Sequence, residues 1–234
     1  MIAVFNFSTA VTDAQVQVMC AALNKILPTF CADWALGKYT VGFLSKSRVN
    51  STSGMKLFFY DDADAAGALG YHDLAGAVPY GKVFVRTTMN YGGGLYTSRV
   101  TGIPSVATVF AHEIFEMILD PFVNTWWLGT DWSTLWAAEM SDPVQGNRVR
   151  VSVNGVAVDL SDWILPAWSN PGAVRGPFNH NNTLSAPFTV DNYGYAIKME
   201  SGAVSYVFGA SVPEETKAKV RTETRGFKGA AKTT

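Results

Sequence analysis

His112 and Glu116 stand four residues apart, with Glu113 between them, in the run His112-Glu113-Ile114-Phe115-Glu116-Met117-Ile118-Leu119-Asp120-Pro121. On a helix, positions i and i+4 share one face, so an imidazole and a carboxylate there can hold one metal ion. A glutamate at i+1 then polarises a bound water. The pattern is the zinc-binding H-E-x-x-H helix with glutamate in the place of the second histidine. A carboxylate oxygen ligates zinc at roughly 2.0 to 2.2 Å, so the exchange preserves binding. It also makes the site harder and more negative, which weakens the ion's power to acidify water. Metal identity stays open: zinc suits the imidazole, while manganese or calcium suits the added oxygens, with the histidine counting against calcium.

His112, Glu116 and Asp120 recur at i, i+4 and i+8 among apolar residues. Burying three such groups costs several kcal/mol unless they are paired or metal-bound. Asp120-Pro121 also reads more simply as the end of the helix. A second acidic cluster, Glu139-Met140-Ser141-Asp142, begins 23 residues past Glu116. This spacing resembles the glutamate-zincin family of metalloproteases, in which a downstream helix supplies a third, glutamate ligand and an aspartate a few residues later orients the first histidine. By that resemblance Glu139 is the third ligand beside His112 and Glu116. Asp142 holds His112 from behind, with Asp120 as a further outer carboxylate, and Glu113 is the general base.

Further motifs extend the resemblance: Leu69-Gly70-Tyr71-His72-Asp73, Pro79-Tyr80-Gly81-Lys82-Val83-Phe84-Val85, Leu165-Pro166-Ala167-Trp168 and Gly176-Pro177-Phe178-Asn179-His180. With Ala186-Pro187-Phe188 and Tyr193-Gly194-Tyr195, they cover about residues 57–197 and resemble a family of bacteriophage and prophage proteins. That resemblance implies an α+β, zincin-like fold: a mixed twisted sheet, a buried helix carrying the site, and an irregular C-terminal annex. It implies a metalloprotein made in the host cytoplasm and carried in or on the phage virion. The family brings no activity with it. A metal-dependent peptide or amide hydrolase and a non-catalytic capsid or tail scaffold both remain open. His72 and His180 fall inside these motifs, each as a further ligand, a hydrogen-bond donor to a developing oxyanion, or a satisfied core or surface residue.

The composition fits these elements into one large body. The chain has 234 residues, 48% hydrophobic and 16% charged, enough for a sizeable core. We divide it into a domain over 1–212, whose part 161–212 is an aromatic- and proline-rich wrapping segment, and a basic tail over 213–234. Cys20 and Cys31 lack metal-type spacing and read as free core thiols. No run is long and apolar enough for a membrane span. The tail carries six Lys/Arg against three Glu, leaving 12 basic and 16 acidic residues upstream. A body of that sign argues against nucleic acid. The tail, with Lys217, Lys219, Arg221 and Arg225, is expected to dock on other virion proteins or on copies of the chain itself, having too few apolar groups to order against its own body.

Positioning falls to recognisable elements. Residues 2–7 read as a strand, and Thr12-Asp13-Ala14-Gln15 as a capping box opening a helix whose stripe is Val16, Met19, Cys20, Leu23 and Leu27. Pro28 should end or kink that helix. Residues 39–44, 57–60 and 82–86 read as short strands. Tyr91-Gly92-Gly93-Gly94-Leu95 reads as a flexible loop, and no Lys-Ser/Thr follows its glycines to make a phosphate cradle. Residues 104–119 form the site helix, and Asn154-Gly155 turns a hairpin between 148–153 and 156–160.

Overall fold

The computed structural model describes residues 1–65 and 67–222. Among the described residues the fold is mixed α+β with three sheets. Strand β1 (Ile2–Asn6) is buried at every residue, as a strand flanked on both sides in parallel register must be. Its neighbours are β2 (Val41–Phe43) and β3 (Lys56–Tyr60); β3 pairs in parallel with β5 (Val78–Phe84). Strand β4 (Gly70–Ala75) closes the edge antiparallel to β5, so the sheet runs β2-β1-β3-β5-β4.

Helix α1 (Asp13–Asp33) starts at the expected capping box, with Thr12 and Gln15 bonded reciprocally. All five residues of its stripe are buried. It does not end at Pro28 but continues for five residues beyond it. Proline inside a helix costs about 3 kcal/mol. Beyond it, Phe30 is fully buried and stacks on Phe115 with ring centroids 4.4 Å apart, and Cys31 is buried too. Two buried side chains worth roughly 1.5 to 3 kcal/mol each offset the cost. Cys20 and Cys31 are free thiols, and burial pushes that of Cys20 up to about 12.

Residues 82–86 are only partly strand: β5 stops at Phe84, and Val85–Asn90 forms α2, fixed by Thr88 Oγ1 donating to Phe84 O at 2.7 Å. The glycine run 92–94 is a packed turn. A Cβ on Gly93 would sit 2.3 Å from Pro104 O, and one on Gly94 2.1 Å from Thr97 O. Carbonyls of Gly94 and Leu95 accept from the N–H groups of Val106 and Ala107, capping the next helix. That helix is α3 (Val106–Leu119), whose Phe110 meets Phe59 of the sheet while Phe115 meets α1.

Strands β6 (Trp126–Leu128), β7 (Leu135–Ala137), β10 (Tyr195–Glu200) and β11 (Ala203–Phe208) form an antiparallel sheet ordered β11-β10-β7-β6. The hairpin β8 (Arg148–Val153) and β9 (Val156–Ser161) turns at Asn154 and Gly155, with φ of 51° and 82° as a type I′ turn requires. Residues 162–194 wrap the body, with one isolated bridge, Ile164 to Asn179. Among the described residues no helix is long and apolar enough to cross a membrane.

The first part of the tail orders against its own body, contrary to expectation. Helix α4 (Glu214–Thr222) buries Val220 against Ala137, Tyr195 and Ile197, and Thr216 Oγ1 lies 2.9 Å from Tyr91 Oη. The antiparallel sheet and Tyr91, the residue just past α2, supply the other halves of these contacts, and Tyr91 Oη also donates to Glu215 Oε1 at 3.3 Å. Lys217 pairs with Glu214 at 2.7 Å within the helix. The side chains of Lys219 and Arg221, and all of 223–234 including Arg225, lie outside the described residues.

Candidate metal centre

Helix α3 is held at both ends. Ser105 caps its start, accepting from Thr108 N at 3.1 Å, and Thr108 Oγ1 donates to Asp159 O of β9 at 2.9 Å. At its end the Asp120 carboxylate accepts from Asn124 N and from the amide and hydroxyl of Thr125. These bonds account for Asp120 as a turn residue. It is not among the residues that offer a ligand atom beside His112 or His72.

Between these ends the i, i+4 pairing operates as the spacing implies. His112 Nε2 lies 3.1 Å from Glu116 Oε1 and 3.1 Å from Asp142 Oδ1. Asp142 opens a 3-10 turn over Asp142–Val144. The chain around residue 194 presses against that turn: a Cβ on Gly194 would meet Pro143 O at 2.3 Å. The next residue, Tyr195, hydrogen-bonds the Asp142 side chain.

His112, Glu116 and Asp142 present one ligand atom each, all within 4.8 Å of one another. Glu139 belongs to neither such cluster, although it is buried. Its ligand role was inferred on the premise of a downstream helix. Residues 138–141 instead leave β7 without helical structure, so positions 139 and 142 do not share a helical face. Asp142 takes the third position. An outer partner would hold the ring nitrogen that points away from the metal. Here Glu116 and Asp142 meet the same Nε2, so Asp142 lies on the side of the ring where a ligand could stand and not behind it.

The electrostatics follow from this geometry. Burial alone pushes the His112 imidazole down, but the Glu116 and Asp142 carboxylates outweigh it and raise it well above its ordinary value. Asp142 is pushed up to about 6 by burial and by the charge of Glu116, against the opposing pull of His112 and Tyr195.

His72 joins α3 from the sheet. In β4 it is the buried residue between half-buried Tyr71 and Asp73, and its Nδ1 lies 3.7 Å from Glu113 Oε2 and 3.6 Å from Glu116 Oε2. Strand and helix come this close because residue 70 is glycine. A Cβ there would lie 2.7 Å from Val109 Cγ1, 2.8 Å from Glu113 Oε1 and 2.9 Å from Lys82 O.

A cavity of about 610 Å³ opens over this cluster, with His112, Glu113, Asp142, Gln145 and Tyr195 among its walls. No family model matches the chain, nor does any curated protein or solved structure.

His180 is not brought to this cavity. It stacks on Trp163 with centroids 4.0 Å apart and lies 3.8 Å from Asp33 Oδ2 at the end of α1. The backbone contact of His180 N to Trp163 O fixes it there, so it has no part in the centre. Burial lowers its imidazole against the pull of Asp33. Tyr195 and Gln145 were missed as site residues: Tyr195 falls in the motif Tyr193-Gly194-Tyr195, which carries no chemistry of its own, and nothing in the local sequence marks Gln145.

Proposed function

We propose that the protein is a metal-dependent hydrolase of peptide or amide bonds, with the ion held by His112 Nε2, Glu116 and Asp142. Two ligands on a four-coordinate zinc stand about 3.4 Å apart, given bonds of roughly 2.0 to 2.2 Å. The two 3.1 Å separations at His112 lie within a few tenths of that edge. A single N–H on Nε2 cannot point at both carboxylates, whereas a cation between the three satisfies all of them. Zinc fits this donor set, and manganese fits its two carboxylates.

The observation favouring turnover is the cavity. Structural metal sites are closed, and catalytic ones keep an open coordination position. Here His112 and Asp142 both line a space large enough for a substrate segment. A bound cation would supply a polarised water and carbonyl. Within the chain, Glu113 lies at the cavity wall where it can take the water's proton, Tyr195 holds the Asp142 carboxylate, and α3 packs against β4.

A second proposal, a virion scaffold without turnover, is favoured by Glu116 itself, since an anion in place of an imidazole weakens activation of water. Both place the protein in or on a phage particle, on the motif resemblance, with other virion proteins or further copies of the chain as partners. His112→Ala should lose an ion, and Glu113→Gln should keep the His112 ion while hydrolysis of a peptide library falls by about 10²- to 10⁴-fold. A wild-type protein that binds zinc there and cleaves nothing leaves the scaffold standing.

A further inference from the structure

Glu116 presents only one carboxylate oxygen to His112. The other, Oε2, faces His72 Nδ1 at 3.6 Å, and Glu113 Oε2 lies 3.7 Å from the same nitrogen. Glu113 and Glu116, three apart on α3, share the face turned to β4. His72, Glu113 and Glu116 each offer a ligand atom, all within 4.8 Å of one another, and all three residues are buried. Separations of 3.6 to 3.7 Å are too long for a direct hydrogen bond. They are close to the edge of about 3.4 Å between two ligands on one zinc ion.

We propose that the protein carries a second divalent cation, held by His72 Nδ1, Glu113 Oε2 and Glu116 Oε2, with Glu116 bridging it to the ion at His112. The proposal rests on the first ion described above. Charge supports it: Glu113, Glu116 and Asp142 are all buried, so a single divalent ion leaves these ligands net negative in a medium of low dielectric, and a second removes the deficit. The donor set of one imidazole and two carboxylates suits zinc or manganese. Bridged pairs of this kind stand roughly 3.5 to 4 Å apart and share the work of holding an attacking water. Glu113 can bind with Oε2 while its Oε1, against Gly70, takes the proton.

The two positions differ in access. The His72 side chain is fully buried and no part of the cavity wall, whereas His112 is at that wall. The second ion meets the cavity only on its Glu113 side, so it is expected to leave more slowly than the first.

Elemental analysis of the full chain, loaded with zinc or manganese and desalted, tests this. Two ions per wild-type chain are expected, released by EDTA in a fast and a slow phase. His72→Asn should hold one ion and lose the slow phase while keeping the fold by circular dichroism. If that variant does not fold, the wild-type count and its two phases still decide. One ion per wild-type chain overturns the second site and leaves the first intact, and no ion overturns both.

Discussion

At His112 a proton and a metal ion compete for one nitrogen. Glu116 and Asp142 raise the imidazole well above its ordinary value, so without metal it keeps its proton to higher pH than a free imidazole does. Metal must displace that proton, and affinity falls about tenfold for each unit of falling pH. Asp142, pushed up to about 6, adds a second proton below that value. The logarithm of Kd against pH, from calorimetry between pH 5 and 8, should therefore have a slope near one at neutrality that steepens below about pH 6. A flat profile would separate the ion from His112. The pairing of His112 with Glu116 was legible in the sequence because four residues of helix fix it locally. The third carboxylate was not, because the choice between Glu139 and Asp142 depends on the chain forming a 3-10 turn there and not a helix.

At the scale of elements, the centre depends on how closely β4 lies against α3. Gly70→Ala puts a methyl group within 3 Å of Val109, Glu113 and the Lys82 carbonyl. The backbone contact cannot yield cheaply, so about 1 to 3 kcal/mol of stability should be lost. Metal affinity should drop with it, measurable by thermal unfolding and zinc titration; a fully stable variant with native affinity would show that the spacing is slack. The strands β1 and β3, the capped α1 and the hairpin at Asn154-Gly155 could be read from local pattern. The edge position of β4, which carries His72 to Glu113 and Glu116, could not, since it depends on pairing with β5 and not on β4's own residues.

At the scale of the molecule, the tail connects the centre to the rest of the chain. Pro213, Glu215, Thr216 and Val220 share the cavity wall with His112. Deleting residues 213–234 removes the burial of Val220, worth about 1 to 2 kcal/mol. The melting temperature should fall by roughly 2 to 8 °C, given 2 to 4 °C per kcal/mol for a chain of this size. An unchanged melting curve would return the tail to a solvated appendage. The mixed α+β class was expected from the motif resemblance, with individual strands and helices readable from local pattern. The antiparallel sheet of β6, β7, β10 and β11 was not: β6 and β7 are three residues each and carry little periodicity of their own, and the six-residue β10 and β11 join β7, through β10, only across the irregular stretch between them.

The most direct test of the centre weighs its two acidic candidates against each other by metal content. Asp142→Asn removes the third ligand at His112 and should lose that ion, while Glu139→Gln should retain it at wild-type stoichiometry. Loss of the ion in Glu139→Gln with full retention in Asp142→Asn would contradict the arrangement of His112, Glu116 and Asp142 around one metal.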